Sequence, residues 1–331
     1  MNDEIFIKRE VKTSKDTMEI FSLFYHVPFS ILLDSSLNTH ELGKNSIIVF
    51  DPFLVFRSKG NNISIERNMQ VEEHVGNPFE YLRDLLNENK TQYVSELPFL
   101  GGGVGYFSYD LCHHIETIKQ PPNDDKDIPE IVLGFYNNAI IVDHRCRKTY
   151  AVASSVGFEE VEGIEVFLEE KINHIINRVC ERTASSKGST TIKVISNDQR
   201  AITSNITLEE YCSMILKAKE YIRNGDIYQA NLSQRFTANV GESNPFDIYR
   251  DLRESNAAPF SAYMNLGDIK VLCSSPERFF KTLDRVIETR PIKGTRPRGA
   301  NIQQDKILCE EVINSEKDLS LIHISEPTRP Y

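Results

Sequence analysis

FSAYMNLGDIKVLCSSPE, residues 260–277, reads as two short strands joined by a tight turn. Gly267 and Asp268 fall at the turn, where a two-residue β-hairpin favours such residues. A helical pattern, PFDIYRDLRES (245–255), precedes the hairpin, and a further strand pattern, VIETRPIKG (286–294), follows it. Because strands joined by a tight turn run antiparallel, this region predicts an antiparallel sheet with a helix beside it.

The rest of the chain repeats this mixture of short strands and amphipathic helices. SIIVFDPFLVFRSKGN (46–61) predicts two strands around a Pro turn, and FYNNAIIVDH (135–144) and TYAVASSV (149–156) predict neighbouring strands of one sheet. DIYQANLSQRFTANV (226–240) has an imperfect alternation that also predicts a strand. The fold class expected is α+β, with mixed, largely antiparallel sheets packed together and helices outside.

Three further segments predict helices. Asn77 and Pro78 favour a helix start, residues 157–182 have helical spacing, and Thr207 with Glu210 forms a capping box. Gly225 suits the C-terminal stop of the helix that begins at Thr207.

The small polar run ASSKGSTT (184–191) predicts a linker. We therefore divide the chain into an N-terminal domain (1–183), a linker and entry segment (184–206) and a second domain (207–320). Residues 321–331 form a separate tail.

Composition excludes several broad classes. With 331 residues the chain is long enough for two ordinary domains, and its net charge of −10 argues against a nucleic-acid binder. No run approaches membrane-spanning length, and the six cysteines have no zinc-type spacing. Reduced thiols in the cytoplasm are the expected state.

The glycine run GGGVGYFSYD (101–110) is spaced like a dinucleotide-binding fingerprint, but that motif needs a helix after the glycines. Tyr106, Phe107 and Tyr109 favour a strand there instead, so a tight turn between strands is the expectation.

Two side chains stand out as chemical candidates. Glu277 follows Pro276 at the end of an apolar strand, where partial burial of a carboxyl group would suit a general acid or base. The alternative is a surface pair of Glu277 with Arg278. Lys293, in PIKGTRPRG (291–299), is either a desolvated nucleophilic amine or a solvated lysine in a basic loop. Local chemistry leaves both choices open.

Five stretches together resemble the chorismate-utilising enzymes, which include component I of anthranilate synthase and component I of aminodeoxychorismate synthase. They are LPFLGGGVGYFSYDL (97–111), GDIYQANLSQRF (225–236), LRESNAAPFSAYMNLGD (252–268), SSPERFFK (274–281) and ETRPIKGTRPRG (288–299). PIKGT, where anthranilate synthases typically have PIAGT, and YHVPFSILLDSS (25–36) resemble the aminodeoxychorismate branch.

The resemblance implies that Lys293 attacks chorismate and that Glu277 protonates the departing hydroxyl group. Gly294 and Thr295 would contact chorismate. Gln229 matches the position of a water-activating lysine in isochorismate-forming relatives, so a neutral amide there would avoid activating water. Arg296 and Arg298 would add positive potential without an assigned contact.

The resemblance also implies ligands and partners. A glutamine amidotransferase subunit would supply ammonia, and Mg²⁺ would neutralise a chorismate carboxylate. A tryptophan pocket would be lined by Ser35, Leu42, Gly43, Lys44, Asn45, Pro259, Phe260 and Ser261.

After EEVINSEKDLS (310–320) the chain departs from the family pattern and reads LIHISEPTRPY. We expect this tail to be non-native, the magnesium ligands to lie in a missing C-terminal segment, and the chain as written to be inactive. The alternatives are component I of anthranilate synthase and a non-catalytic fragment that binds tryptophan or a partner protein.

Overall fold

The computed structural model describes residues 5–37, 42–91, 95–118, 126–158, 163–181, 202–292 and 294–316. Contacts divide the chain into two compact units, Met1–Thr183 with Tyr249–Tyr331 and, separately, Ala184–Ile248. The domain boundaries expected from the sequence, 1–183, 184–206 and 207–320, remain predictions.

The first unit is built around a seven-stranded antiparallel sheet. Strands are numbered along the chain; their spatial order is β1 (Phe6–Val11), β10 (Lys148–Ser154), β9 (Asn138–Asp143), β3 (Asn45–Val49), β2 (Ile31–Asp34), β13 (Phe260–Asn265) and β14 (Lys270–Ser275). The predicted hairpin is therefore confirmed, and it extends the sheet beside β2. The predicted pairing of β9 with β10 is also confirmed.

A five-stranded antiparallel sheet packs against the first sheet. Its spatial order is β6 (Gln70–Val75), β5 (Asn62–Arg67), β4 (Leu54–Lys59), β8 (Ile131–Tyr136) and β7 (Gly102–Phe107). The core between the sheets joins Ile31, Val49 and Met264 of the first sheet to Val104 and Val132 of the second. The α+β class with packed antiparallel sheets is confirmed.

Helices α1 (Thr17–Phe21), α2 (Pro78–Glu88), α3 (Ile164–Cys180) and α5 (Pro245–Ser255) contribute buried side chains beside the two sheets. The structure also describes a further helix, α6 (Ile302–Ile313), which has no buried residue. Leu82 and Leu85 of α2 pack on the five-stranded sheet, and α3 contacts β1 and β10 of the seven-stranded sheet. Asn77 caps α2 as predicted, its side chain accepting from the Phe79 N–H at 2.9 Å.

The second unit contains α4 (Leu208–Asn224) and two two-residue strands, β11 (Thr203–Ser204) and β12 (Phe236–Thr237). The capping box of Thr207 with Glu210 and the left-handed cap at Gly225 confirm the predicted ends of α4. The strand predicted over residues 226–240 is wrong, because only Phe236 and Thr237 are paired. No described helix is both long enough and apolar enough to cross a membrane.

Three of the four glycines of GGGVGYFSYD, Gly102, Gly103 and Gly105, lie within β7 instead of forming the expected turn between strands, and Gly101 lies at a bend directly before it. At Gly105 an added Cβ would lie 1.9 Å from the Val132 carbonyl oxygen of β8. The strand therefore needs glycine there for close approach of two backbones. Tyr106 and Phe107 lie in β7, as their strand tendency predicted, whereas Tyr109 begins a short 3-10 helix.

Candidate active site

Glu277 lies where β14 ends and β15 (Arg278–Leu283) begins. Its Oε1 accepts the backbone N–H of Ile292 at 3.2 Å, and its own N–H donates to Ser275 Oγ at 3.3 Å. The carboxylate therefore faces the residue directly before Lys293. The side chain is exposed, so the partial burial expected from its position after Pro276 is not found in the described residues.

Lys293 lies outside the described residues. On one side of it, Ile292 is held by Glu277. On the other, Gly294 has φ +66°, a left-handed conformation that favours glycine, and the Thr295 carbonyl accepts from Arg296 Nη1 at 3.0 Å. The structure thus brings Glu277 to the PIKGT loop and fixes the backbone on either side of the lysine.

The partner of Arg278 is Glu288 of β16 (Val286–Arg290), within the part of the chain that the structure describes, so a Glu277–Arg278 pair is not found there. Glu288 Oε1 also accepts from Arg290 Nε at 2.7 Å. This hydrogen bond from Arg290, with the charge of Arg278, holds the pKa of the Glu288 carboxyl below its usual range. Both arginines therefore have a carboxylate partner in the hairpin.

A shallow cleft of about 340 Å³ adjoins Glu277 and is lined also by Arg278, Phe279 and Thr289. The Thr289 hydroxyl donates to the Phe279 carbonyl at 2.9 Å, which ties β16 to β15. The cleft combines a carboxylate, a paired guanidinium and an aromatic ring.

The segments predicted to line a tryptophan pocket meet at one end of the seven-stranded sheet, because β2 lies between β3 and β13. Ser35 Oγ donates to the Asn45 carbonyl at 2.7 Å and lies 3.5 Å from the Pro259 carbonyl. Ser261 is buried and Lys44 is exposed. Leu42 is partly buried, as are Gly43 and Phe260.

The same end of the sheet adjoins Glu277. Phe260, the first residue of β13, pairs with Ser275, and the Arg278 guanidinium carbon lies 5.2 Å from the Phe260 ring centre. The predicted pocket and the predicted catalytic carboxylate thus share β13, β14 and this cation–π contact.

A buried polar network, which was not predicted from the sequence, lies beside the predicted pocket. Asp34, 2% exposed, accepts Arg253 Nε at 2.6 Å, the Tyr249 hydroxyl at 3.1 Å and Ser46 Oγ at 3.1 Å. Ser46 Oγ also lies 2.8 Å from His144 Nε2, and burial lowers the pKa of His144. The signal was present, since Asp34 ends the apolar run ILLD and a carboxylate there needs buried partners.

Gln229 belongs to the Ala184–Ile248 unit, where it is exposed in a segment without regular structure. Its predicted role at the substrate remains a prediction. Among the described residues, no group of three or more His, Cys, Asp or Glu side chains is placed to hold a metal ion. The magnesium ion that the resemblance implies, with its ligands expected outside this sequence, remains a prediction, and we assign no step to it.

Comparison with known proteins shows that the chain is similar to chorismate-binding enzymes. A sequence profile described as chorismate binding enzyme matches residues 30–320. Anthranilate synthase component 1 of Acetivibrio thermocellus is 34% identical over 318 residues, covering 95% of this chain and 64% of the relative. Aminodeoxychorismate synthase component 1 of Escherichia coli (strain K12) is 30% identical over 300 residues, covering 90% of this chain and 61% of the relative.

The crystal structure of anthranilate synthase component I from Streptococcus pneumoniae TIGR4 has a similar fold. Its TM-score is 0.69 at 25% identity, and the alignment covers 87% of this chain and 60% of that protein. The chain thus spans less than two thirds of the length of these relatives.

Proposed function

The chain belongs to the chorismate-binding enzymes, and from that premise we propose that it is component I of aminodeoxychorismate synthase. The reaction would convert chorismate and ammonia to 4-amino-4-deoxychorismate, a precursor of p-aminobenzoate and folate. The observation that carries this proposal is the PIKGT loop, in which the residue before Lys293 donates its N–H to Glu277. An amine and a carboxyl group at one loop suit a two-step substitution.

In the proposed reaction, the Lys293 amine attacks C2 of chorismate while the C4–OH bond breaks and the double bond shifts. Glu277 gives its proton to the departing hydroxyl, which leaves as water. Because Oε1 of Glu277 accepts the Ile292 N–H, the transferable proton belongs on Oε2. Ammonia then attacks C4, the Lys293–C2 bond breaks, and the amine is regenerated.

Other parts of the proposal concern contacts with ligands and partners. Gly294 and Thr295 contact chorismate, and Gln229 avoids activating water. A glutamine amidotransferase subunit supplies ammonia.

Tryptophan is the proposed ligand of the pocket that includes Ser35 and Pro259, which share a contact at the end of the sheet. Six unpaired cysteines support a cytoplasmic location.

The second candidate is component I of anthranilate synthase. The relative from Acetivibrio thermocellus, 34% identical, favours it over the 30% identical aminodeoxychorismate enzyme. Against it stands Lys293, which has no assigned task in forming anthranilate and pyruvate. Product identity separates the two reactions.

The test uses a version of the protein extended to the length of its relatives, because the chain as written is expected to be inactive. That protein is incubated with chorismate in the absence of ammonia, and covalent adducts are mapped by peptide mass spectrometry. We expect Lys293 to gain the mass of chorismate less one water, and Lys293→Ala to gain nothing. Added ammonia should release 4-amino-4-deoxychorismate from the wild type. An unmodified Lys293 would remove the nucleophile assignment, and anthranilate with pyruvate would establish the second candidate.

A further inference from the structure

Asp305, in the first turn of α6, receives three hydrogen bonds from the end of the PIKGTRPRG loop. Arg298 donates from Nε to Oδ1 at 2.7 Å and from Nη2 to Oδ2 at 2.6 Å. The Gly299 N–H donates to the same Oδ1 at 2.8 Å. The bidentate pair of Arg298 with Asp305 fixes the orientation of the guanidinium group as well as its distance from the carboxylate.

Neighbouring contacts hold the backbone in the same place. The Ala300 N–H donates to Gln304 Oε1 at 3.0 Å, and the Gln304 N–H donates to Asn301 Oδ1 at 2.9 Å. A Cβ added at Gly299 would lie 2.2 Å from the Asp305 nitrogen, so only glycine allows this close approach. The loop end is therefore packed against the start of α6 by backbone as well as side-chain contacts.

The other end of the loop is held by Glu277, through the Ile292 N–H. Lys293 thus lies in a segment whose backbone is attached at Ile292 and again at Gly299. Gly294, with φ +66°, bends the chain between these attachments. Glu277 and Asp305 therefore hold described residues on both sides of Lys293.

We propose that Arg298 and Asp305 are positioning residues that hold the end of the PIKGTRPRG loop against the start of α6 and thereby support the reactivity of Lys293. In this proposal the Arg298 guanidinium group bonds to the Asp305 carboxylate and does not bind a substrate carboxylate. This inference rests on the proposed function, since it takes Lys293 as the nucleophile. From the sequence, Arg298 was expected only to add positive potential; in the structure it contacts Asp305.

Two observations bear on the strength of this pair. The hydrogen bond from Arg298, with that from the Gly299 N–H, lowers the pKa of Asp305 to about 2, so the carboxylate is ionised throughout the neutral range. Arg298 is 89% exposed, however, and exposed ion pairs often contribute little to global stability. The expected effect is therefore local, confined to the loop, and small on the melting temperature of the whole chain.

The experiment compares Arg298→Gln, Asp305→Asn and the double variant with the wild type. Arg83→Gln is the control, because it breaks an exposed ion pair with Asp84 on α2. Hydrogen–deuterium exchange of peptides covering residues 291–300 reports the loop without needing activity. The rate of adduct formation on Lys293 and the KM for chorismate, both measured in the version extended to the length of the relatives, report positioning.

We expect each single variant to speed exchange in the loop and to slow adduct formation by about fivefold or more, since small displacements of a reacting group are costly. KM should change by less than about twofold, and the double variant should be no slower than the slower single variant, as expected for one shared interaction. The control should match the wild type in every measurement.

Two results would overturn the inference. If Arg298→Gln raises KM while Asp305→Asn has no effect, then Arg298 binds substrate. If both variants leave exchange and adduct formation unchanged, the pair is a solvated surface contact. Failure of the proposed function is distinguishable: the wild type would then form no adduct at all, while the exchange comparison would still show whether the pair holds the loop.

Discussion

Glu277 shows how a strand end delivers a side chain to a reacting centre. Pro276 restricts the backbone directly before it, Ser275 Oγ accepts its N–H, and the Ile292 N–H binds one carboxylate oxygen. These contacts orient the group without enclosing it. The sequence predicted the position of this carboxylate, whereas the partner of Oε1 is a backbone N–H fifteen residues away, which no side-chain pattern encodes.

Replacing Glu277 by glutamine tests its role as an acid. The side-chain amide of the variant would retain an oxygen for the Ile292 N–H but would have no proton of suitable acidity to give. In the version extended to the length of the relatives, we expect Glu277→Gln to lower the rate of 4-amino-4-deoxychorismate formation by about 10²–10⁴-fold. The melting temperature should stay near that of the wild type. Glu254→Gln, at an exposed glutamate of α5, is the control, and equal rates for the two variants would contradict the role.

Lys171 is a second titratable group of interest, although it lies outside the proposed site. Its ammonium group lies on α3 and donates to Asn137 Oδ1 at 2.6 Å. Burial lowers the pKa of Lys171 from 10.5 to about 8, partly offset by the charge of Asp51. Folding therefore carries a cost wherever the amine must remain protonated.

The sign of the resulting pH dependence follows from this pKa. Below about pH 8 the amine is protonated in both states, and the cost is constant at about 3 kcal/mol. Above pH 8 the folded protein loses the proton first, so the free energy of unfolding should rise with pH toward 10.5, the ordinary pKa of the group. Burial raises the pKa of Tyr263 to about 12, and this acts in the opposite direction once pH exceeds about 10.

Urea unfolding between about pH 7.5 and about pH 9.5 tests this prediction within the window set by the lysine. The rise seen for the wild type should be absent from Lys171→Met. Lys306→Met, at an exposed lysine of α6, should keep it. Parallel curves for wild type and Lys171→Met would show that the amine is not buried as described.

At the scale of elements, local signals predicted some features and missed others. The caps at Asn77, Thr207 and Gly225 each lie beside the backbone groups that they satisfy, so the sequence was sufficient. The alternation around Tyr228 failed because a strand needs a partner along its length, and pairing was found only at Phe236 and Thr237. Strand pairing depends on residues far away in the chain, which local periodicity does not encode.

Strand β7 provides a test of close packing between strands. Gly105→Ala would place a methyl group 1.9 Å from the Val132 carbonyl oxygen, and neither backbone can move without disturbing the sheet. We expect this change to destabilise the protein by about 2 kcal/mol or more. Thermal and urea unfolding would measure the loss.

Gly103→Ala in the same strand is the matched control. There the added Cβ would meet only the Phe135 ring, at 3.6 Å, an ordinary contact. Gly103→Ala should change the free energy of unfolding by less than about 1 kcal/mol in either direction, because the reduced backbone freedom of the unfolded chain offsets any small strain in the folded one. Equal losses at the two glycines would mean that strand propensity, not the contact with Val132, sets the cost.

At the scale of the whole molecule, the seven-stranded sheet joins parts of the chain that are far apart in sequence. Strand β2 pairs with β3 nearby but also with β13, more than two hundred residues later, across the pairs Asp34–Ser261 and Ile31–Met264. Family resemblance predicted that these segments meet, whereas periodicity alone could not. The ends of β2 and β13 also carry the residues of the proposed tryptophan pocket, so closure of the sheet and assembly of that pocket are one event.

Asp34 is the polar contact that accompanies this closure, because its partners Arg253 and Tyr249 lie on α5. Asp34→Asn would leave the Arg253 guanidinium partly buried without a counter-charge, and we expect a loss of about 3 kcal/mol in the free energy of unfolding. Tyr249→Phe removes one neutral hydroxyl from the same carboxylate and should cost only about 1 kcal/mol. Hydrogen exchange should show β2 and β13 losing protection together in Asp34→Asn. If β13 alone were to open, the two segments would fold independently, and the sheet would not be the common support of both sites.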